Sequence, residues 1–286
     1  MRSTVDTPSR SEVIRVGFIG LGDMGGALAA RIIGAGLPTV LWARRPEALT
    51  SFAGPGIGTA STPAELAAAV DYIGICVWDD EAVREVVCGR DGALAGCRPG
   101  TVIAIHSTVH PDTCQELAQA AALRGAAVLD APVSGGREVA LAGKLVVAVG
   151  GDEDTLTRSR PVLATFGDPV IHLGPPGAGQ FAKLVNNALL AAHLALANDA
   201  LALAPSLGMQ PDALARVLRH GSGRSYALDV AVAARESGAI RERTGVPLRK
   251  DIDCLNAVLR GSDAAVLTFA AGVGVRRLAD AGRWTW

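Results

Sequence analysis

The sequence predicts an α/β protein in which a doubly wound, mostly parallel sheet is followed by an all-α C-terminal domain. Short apolar runs rich in β-branched residues alternate with helix-like segments as far as Leu173, which is typical of a parallel sheet covered on both faces. Strand signals stop there, and the remaining sequence has helical periodicity. Between the two parts, GPPG at 174–177 interrupts any regular element. We therefore expect two domains, 1–174 and 175–286, with 1–12 as a flexible polar leader.

Local signals place the elements of the first domain. The β-branched run 13–20 ends in glycine and predicts a strand, and 24–36 predicts a helix that closes at a glycine. The segment 61–70 begins with a capping residue, an early proline and an acid, which are typical of a helix start. By similar reasoning, further strands are expected at 38–44, 72–78, 101–107, 127–133, 144–151 and 169–174, and further helices at 80–88, 110–125 and 152–165.

The second domain is expected to be helical throughout. Apolar residues recur with a helical period from Ala178 for roughly 30 residues. Polar side chains interrupt the run 184–204, which therefore predicts a buried helix and not a membrane span. Shorter helices are expected at 211–220, 225–236, 247–260 and 262–280.

Composition excludes several classes of function. The 286 residues are 49% hydrophobic and 19% charged, with a formal net charge of −1, so we expect no nucleic-acid or membrane partner. The five cysteines form no C-x-x-C pair, which indicates a reducing compartment and predicts a cytoplasmic protein without disulfides. His106, His110 and Cys114 have a spacing that resembles metal ligands, but a strand-to-helix junction separates them, so we expect packing roles and no metal.

A glycine-rich turn predicts a nucleotide site. The sequence GFIGLGDMGGALA carries G-x-G-x-x-G at Gly20, Gly22 and Gly25. It follows a predicted strand and opens a helix, which is the context of the Rossmann-type dinucleotide-binding fold. Gly22 allows a pyrophosphate to approach the backbone, and the helix N-terminus supplies unpaired amides and partial positive charge. A purely structural glycine turn is the alternative.

The end of the second strand predicts which dinucleotide binds. NAD sites usually carry Asp or Glu there, bonding the ribose 2′-hydroxyl. This sequence has Arg44 and Arg45 instead, with no acid before Glu47. A guanidinium can hold a 2′-phosphate through paired hydrogen bonds, so we expect NADP(H) to be preferred over NAD(H). Two ordinary surface arginines are the alternative.

Lys183 is an unusual residue for its position. It lies in the first turns of the long apolar helix, with Asn187 one turn later on the same face. A buried ammonium is unfavourable unless it has a partner or a role, and burial lowers the pKa of a lysine. Hydride transfer from an alcohol carbon needs a base for the hydroxyl proton, and the reverse reaction needs an acid. Lys183 could serve as both, or it could simply extend to solvent.

Four segments, in order, resemble the signature regions of the β-hydroxyacid dehydrogenase family. They are GFIGLGDMG, DAPVSGG at 130–136, GAGQFAKLVNN at 177–187, and Lys250–Asp251. The family includes 3-hydroxyisobutyrate dehydrogenases and several semialdehyde reductases, and it is related to 6-phosphogluconate dehydrogenase-like proteins and imine reductases. The resemblance covers nearly the whole chain after the leader. It implies an enzyme that interconverts a small 3-hydroxyacid and its semialdehyde or keto form, as a homodimer or homotetramer.

The resemblance also implies roles for individual residues. Lys183 and Asn187 match the catalytic lysine and the asparagine that helps to hold the substrate. The implied contacts of a carboxylate-bearing substrate are Thr108, Ser134, Gly135, Gly136 and Asp251. The expected cofactor contacts are Gly20, Leu21, Gly22, Asp23, Met24, Gly25, Arg44, Arg45, Val77, Ser107, Thr108 and Lys250.

Several positions depart from the family pattern. Trp78–Asp79 stand where a Leu-Pro or Met-Pro pair is common, His106 stands where an acid often precedes the Ser-Thr pair, and Arg137 directly follows the double glycine. The identity of the acid is therefore left open. Two alternative functions are an imine or other carbonyl reductase on the same scaffold and a non-catalytic NADP-binding module. The intact Lys183 position favours the hydroxyacid enzyme.

Overall fold

A computed structural model of the chain describes residues 13–52, 54–237, 245–259 and 265–279. The predicted leader, 1–12, lies outside these residues, as do 260, 262–264 and 280 of two predicted helices. The chain forms two compact units. The first comprises the described residues up to Ser107 together with Asp112–Gly179, and the second comprises Thr108–Pro111 together with the described residues from Gln180 onward.

In the described part of the chain, nine strands form one sheet within the first unit. They are β1 (Val16–Ile19), β2 (Thr39–Trp42), β3 (Ile57–Thr59), β4 (Tyr72–Ile75), β5 (Val102–Ile105), β6 (Ala127–Asp130), β7 (Val133–Ser134), β8 (Leu145–Gly150) and β9 (Gly167–Gly174). Their order is β3-β2-β1-β4-β5-β6-β8-β7, and β9 pairs with β8. Neighbours from β3 to β6 are parallel, whereas β8 is antiparallel to β6 and β7. This confirms the predicted mostly parallel sheet.

Helices connect most of these strands, as the sequence predicts. They are α1 (Asp23–Gly34), α2 (Pro63–Ala69), α3 (Asp80–Cys88), α4 (Ala93–Gly96), α5 (Pro111–Ala122), α6 (Arg137–Leu141) and α7 (Glu153–Leu163). The start of α2 shows the hydrogen bonds that its capping sequence predicts. Thr62 Oγ1 accepts a hydrogen bond from Glu65 N at 3.0 Å, and Glu65 Oε2 accepts one from Ser61 N at 2.7 Å. The two side chains thus satisfy amides that the helix itself leaves unpaired.

The core of the first unit explains the near-continuous apolar strands. Every residue of β1, β4 and β5 is buried, because helices cover both faces of a parallel sheet. Phe18 of β1 packs with Leu28 and Ile32 of α1 in one cluster that also includes Leu41 and Phe166. Burial of side chains of this size contributes roughly 1.5–3 kcal/mol each.

The predicted strand 127–133 is two strands in the structure. It divides into β6 and β7, because Pro132 has no N–H to donate to a ladder. Pro132 O still accepts a hydrogen bond from Ala148 N at 3.1 Å. β7 then pairs with β8, where Val133 lies opposite Val147. The sequence also did not predict β3, α4, α6 or the 3-10 turn at Pro46–Phe52, all of which are short.

The described part of the second unit is helical. Its helices are α8 (Ala178–Ala202), α9 (Pro211–His220), α10 (Tyr226–Ser237), α11 (Val246–Val258) and α12 (Ala265–Ala279). The buried face of α8 carries Leu184, Ala188, Ala191 and Leu194, at the three- and four-residue spacing of a helical face. α8 ends after 25 residues, earlier than expected, because a 3-10 turn begins at Pro205 and leads to the left-handed Gly208. None of the helices in the described residues is long and apolar enough to cross a membrane.

The division between the units falls within the first turn of α8. Gly179 belongs to the first unit, whereas the sequence places the boundary at 174/175. A Cβ at Gly179 would lie 2.5 Å from Ala148 O and 2.8 Å from Asp130 Oδ2. The buried Asp130 carboxylate also accepts a hydrogen bond from Gly177 N at 2.7 Å. The start of α8 therefore packs against the sheet through backbone contacts that the helical pattern does not reveal.

His106, one of the departures from the family pattern, is buried in the first unit. Its Nδ1 lies 2.8 Å from Ala131 O, and its Nε2 lies 3.2 Å from the Tyr72 hydroxyl. A carbonyl can only accept, so Nδ1 carries the proton and Nε2 accepts from Tyr72. The ring stacks on Phe18 and meets the edge of Phe166. Both ring nitrogens thus form internal hydrogen bonds, and the ring packs against two aromatic side chains. This is the packing role that the sequence analysis favours for His106.

We predict that acid destabilises the protein through His106. Burial lowers the pKa of His106 from 6.5 to about 4, so the unfolded state takes up a proton first as the pH falls below about 6.5. Above about pH 6.5, His106 therefore does not lower the free energy of unfolding. Below that pH, the free energy of unfolding falls until about pH 4. The loss between about pH 7.5 and about pH 5 is about 2 kcal/mol. Urea unfolding at both pH values measures it.

His106→Asn removes the titrating group and should lose most of this pH dependence, even if it is less stable at neutral pH. His193→Gln changes an exposed histidine on α8 and should keep the wild-type dependence. Equal pH dependence in His106→Asn and wild type would contradict the assignment.

Candidate active site

The glycine turn lies between β1 and α1. Gly20 has φ of +92°, a left-handed conformation that glycine adopts without strain. A Cβ at Gly25 would overlap with the Gly20 carbonyl oxygen, so helix and strand can approach only with glycine there. At Gly22, by contrast, a Cβ would meet nothing within 4 Å. The turn therefore leaves open space beside its backbone and the first amides of α1, which fits a dinucleotide pyrophosphate.

The strand order places this turn at the point where such sheets bind ligands. β1 lies between β2 and β4, so the connections after β1 and β4 leave in opposite directions and open a crevice at their carboxyl ends. Val77 follows β4, and Ser107 follows β5. Ser107 Oγ accepts a hydrogen bond from Val77 N at 2.8 Å. Two predicted cofactor contacts are therefore joined at the same edge of the sheet.

Arg44 and Arg45 follow the end of β2, at this edge. Both are exposed. Within the residues that the structure describes, neither guanidinium has a hydrogen-bond or ion-pair partner. The two groups are thus available to a ligand, and Glu47, in the 3-10 turn that begins at Pro46, does not pair with them.

The loop Ser134–Gly136 leaves the sheet at the same edge. Because β8 is antiparallel to both β6 and β7, β7 points in the direction of β6. Gly135 and Gly136 have φ of +141° and +84°, conformations that other residues rarely adopt. A Cβ at Gly136 would meet nothing within 4 Å. The loop therefore presents open backbone of the kind that can bind an anion.

Lys183 lies in the second turn of α8 and is half-buried. Burial lowers its pKa from 10.5 to about 8. The Asp251 carboxylate opposes this shift, and the Lys250 ammonium adds to it. Among the described residues, Lys183 Nζ has no hydrogen-bond partner. The midpoint of its titration therefore lies near pH 8, and no described group uses its capacity to donate or accept a hydrogen bond.

The second unit also contains a polar cluster, two of whose charges act on the pKa of Lys183. Asn187 Nδ2 donates to Asp251 Oδ2 at 2.6 Å, and Asp251 Oδ1 lies 3.1 Å from Lys250 Nζ. Lys250 Nζ also donates to Thr108 O at 2.5 Å. Asp251 is buried, and its two oxygens thus have one amide and one ammonium as partners. Asp251 Oδ1 lacks good hydrogen-bond geometry with the ammonium, so that contact is an ion pair only.

The structure groups the predicted site residues by unit. The second unit brings together residues from three distant parts of the sequence, which are Thr108, Lys183 with Asn187, and Lys250 with Asp251. The first unit contains the glycine turn with Leu21, Asp23 and Met24, the two arginines, Val77, Ser107 and the loop Ser134–Gly136. Asn187 and Asp251 are hydrogen-bonded to each other, so these two groups are already partners before any substrate binds. The sequence does not predict this hydrogen bond.

Gln180 is a supporting residue that the sequence analysis did not predict. Gln180 is fully buried, and its Oε1 accepts a hydrogen bond from Val109 N at 3.1 Å. It thereby holds the segment that follows Ser107–Thr108. An amide side chain three residues before Lys183, in an apolar helix, is the signal that could have identified it.

Of the Trp78–Asp79 pair, which departs from the family pattern, Asp79 has a local role. Asp79 Oδ1 accepts a hydrogen bond from Ala82 N at 2.9 Å and caps α3. Trp78, just before it, is exposed. Within the described ranges, no group of three or more His, Cys, Asp or Glu side chains is arranged to hold a metal ion.

Comparisons with known proteins identify the family. The profile of the NAD-binding domain of 6-phosphogluconate dehydrogenase matches residues 15–174, and that of the NAD-binding region of NADP-dependent 3-hydroxyisobutyrate dehydrogenase matches residues 177–282. The chain is 35% identical over 216 residues to 2-(hydroxymethyl)glutarate dehydrogenase of Eubacterium barkeri, covering 76% of this chain and 72% of the relative. An NAD-dependent L-serine dehydrogenase of Pseudomonas aeruginosa matches to the same extent.

A solved structure supports the same assignment. Mycobacterium tuberculosis 3-hydroxyisobutyrate dehydrogenase with L-serine matches with a TM-score of 0.84 at 31% identity, over 94% of each chain. Sheet, glycine turn and profiles together define a nicotinamide-dinucleotide-dependent oxidoreductase. Within that class, the chain belongs to the β-hydroxyacid dehydrogenase family.

We predict that Asp251→Asn lowers the pKa of Lys183 further. The Asp251 carboxylate raises that pKa, so its removal should favour the neutral amine while an amide of the same shape remains. Acetylation of Lys183 by an activated ester, followed by peptide mass spectrometry across pH, reports the titration because only the neutral amine reacts. The wild-type midpoint should lie near pH 8, and the variant midpoint should be lower. Lys144, exposed on the first unit, is the internal control, and a variant midpoint at or above the wild-type value would contradict the prediction.

Proposed function

We propose that the protein is an NADP-dependent oxidoreductase that interconverts a small 3-hydroxyacid and its semialdehyde or keto form, with Lys183 as the general acid and base. The Lys183 amine carries the proposal. It is half-buried, has no hydrogen-bond partner among the described residues, and has a pKa lowered to about 8. A catalytic acid and base works best when its pKa is close to the working pH.

The relatives suggest the chemical class of the substrate. Their names refer to 2-(hydroxymethyl)glutarate, L-serine and 3-hydroxyisobutyrate. All three acids carry a CH2OH group on the carbon next to a carboxylate, and they differ in the other substituent of that carbon. We therefore propose a 2-substituted 3-hydroxypropanoate as the substrate of this chain.

The proton steps follow from Lys183. In the oxidative direction, its neutral amine takes the hydroxyl proton as a hydride leaves the carbon that bears the hydroxyl. In the reductive direction, its ammonium gives a proton to the carbonyl oxygen. A nicotinamide, when bound, accepts that hydride or returns it. Asn187 keeps one amide hydrogen beyond its bond to Asp251, and we assign it to the substrate oxygen.

The carboxylate of the substrate needs hydrogen-bond donors of its own. The loop Ser134–Gly136 offers a hydroxyl and backbone amides in a conformation with positive φ, and it leaves the sheet at the carboxyl edge. Open sheets of this class bind ligands at that edge. We therefore assign the carboxylate to this loop.

The preference for NADP(H) rests on Arg44 and Arg45. Their exposed guanidinium groups follow β2, where NAD-binding proteins usually place an acid. A 2′-phosphate is a good partner for such groups. The P. aeruginosa relative is named as NAD-dependent, whereas the profile over 177–282 is described for an NADP-dependent enzyme, so the family contains both preferences and the local residues must decide.

We also propose that the chain forms a homodimer or homotetramer in the cytoplasm. α8 exposes apolar side chains at Phe181, Val185, Leu189 and Leu196. Several such residues on one helix are typical of a subunit interface. The described cysteines are all free thiols, which fits a reducing compartment.

Replacement of Lys183 tests the activity. Wild type should reduce NADP+ with 3-hydroxyisobutyrate, L-serine or a related 2-substituted 3-hydroxypropanoate, and Lys183→Ala should lower kcat by about 100-fold or more. The oxidative rate should rise with pH through about 8, because the neutral amine is the base, and the reductive rate should fall over the same range. Steady-state kinetics in both directions measure these changes.

Lys183→Arg is the matched variant, since its guanidinium keeps the charge but cannot be deprotonated, and it should be as inactive in oxidation as Lys183→Ala. Lys144→Ala should behave as wild type. Wild-type turnover in Lys183→Ala rules out the assignment. Reduction of cyclic imines that exceeds reduction of every semialdehyde in the panel would favour the imine reductase alternative.

Replacement of both arginines tests the choice of cofactor. Arg44→Ala with Arg45→Ala should weaken NADPH binding by about 10-fold or more and change NADH binding by less than about threefold, because only NADPH carries the 2′-phosphate. Titration of the nicotinamide fluorescence gives both affinities. Arg158→Ala with Arg160→Ala, which removes two exposed charges from α7, is the control. An unchanged NADPH-to-NADH affinity ratio would defeat the proposal.

A further inference from the structure

The glycine turn contains a charge of the wrong sign for its ligand. Asp23 is the first residue of α1, and its side chain is 70% exposed. It lies between Gly22 and Gly25, beside the amides that bind a pyrophosphate in this class of fold. A carboxylate close to a diphosphate repels it. Binding at this turn therefore requires that the charge of Asp23 be offset.

Arg137 provides the offset. Its Nη1 donates a hydrogen bond to Asp23 O at 2.8 Å and lies 3.7 Å from Asp23 Oδ1. Both residues belong to the first unit, and they are 114 positions apart in sequence. The guanidinium thus reaches the backbone and the side chain of the same residue of the turn.

We propose that Arg137 is a positioning residue for the cofactor, which neutralises Asp23 and holds the first peptide of α1 so that the turn can accept the diphosphate. This inference rests on dinucleotide binding by the proposed enzyme. Arg137 was noted in the sequence only as a departure after the double glycine. The structure connects that departure with Asp23, the acid inside the glycine turn.

The hydrogen bond acts on the turn itself. Asp23 C=O and Met24 N–H belong to one peptide unit and point in opposite directions. A guanidinium on the oxygen polarises that unit and strengthens the N–H as a donor. Met24 is among the predicted cofactor contacts, so Arg137 supports a donor without touching the ligand.

The anchoring of Arg137 suits this role. It begins α6, directly after Gly135 and Gly136 with their positive φ values.

The Arg137–Asp23 pair is only partly shielded from solvent, with the Arg137 side chain 38% exposed. Salt should therefore weaken the electrostatic interaction between the two side chains. The dependence of cofactor affinity on ionic strength therefore separates charge neutralisation from packing.

The test is a double-mutant comparison of NADPH affinity. The variants are Arg137→Ala, Asp23→Asn and the double variant, each titrated by nicotinamide fluorescence at low and at high salt. We expect Arg137→Ala to bind NADPH about 10-fold more weakly than wild type at low salt. The double variant should recover to within about threefold of wild type, because no uncompensated carboxylate remains. Asp23→Asn alone should bind at least as tightly as wild type, and the differences should shrink at high salt.

Controls separate this effect from misfolding and from loss of the proposed function. Arg90→Ala removes another exposed guanidinium from the first unit and should bind NADPH as wild type does. If Arg137→Ala does not fold, the pair Arg137→Lys and Arg137→Gln replaces it, and only the uncharged variant should lose affinity. Wild-type affinity in the uncharged Arg137 variant, or an equal loss in the Asp23→Asn background, overturns the inference. Failure of wild type to bind either NADPH or NADH overturns the proposed function instead.

Discussion

The proposed chemistry of this protein depends on the partial withdrawal of one amine, that of Lys183, from water. A lysine in solvent holds its proton far above neutral pH, because hydration stabilises the ammonium. In α8 the Lys183 amine loses much of that hydration and gains no hydrogen bond from the described residues. Desolvation exceeds the attraction of the Asp251 carboxylate, so its pKa falls to about 8. The same group can therefore give and take a proton under ordinary conditions.

Two charged residues, Asp251 and Lys250, modify the size of the pKa shift of Lys183. A buried carboxylate without partners would be costly, and Asp251 has an amide from Asn187 and an ammonium from Lys250. Lys250 is in turn tied to Thr108 O. One negative and two positive groups thus lie within a single network. The Asp251 carboxylate limits the fall in the pKa of Lys183, while Lys250 acts in the opposite direction.

Features that depend on neighbours in sequence were predictable. The glycine turn, the capped start of α2 and the alternation of strands with helices follow from backbone sterics and local hydrogen bonds. The structure confirms the mostly parallel sheet and the helical second part. Short elements were not predictable, because a few residues carry too little periodic signal. The break at Pro132 could have been expected, since proline cannot donate within a ladder, but the pairing of β7 with β8 could not.

The class of fold, the glycine turn and the residues that resemble those of the family can be identified without a structure. These depend on local conformation and on residue identity. Which of these residues contact one another depends on the folded chain. It joins Asn187 to Asp251, Lys250 to Thr108 and Arg137 to Asp23, and it buries Lys183 among polar groups from a distant helix. The hydration of a side chain and the charges that act on it depend on what surrounds it in space. The contacting residues are 64 to 142 positions apart in sequence, and no local sequence pattern predicts contacts over that distance.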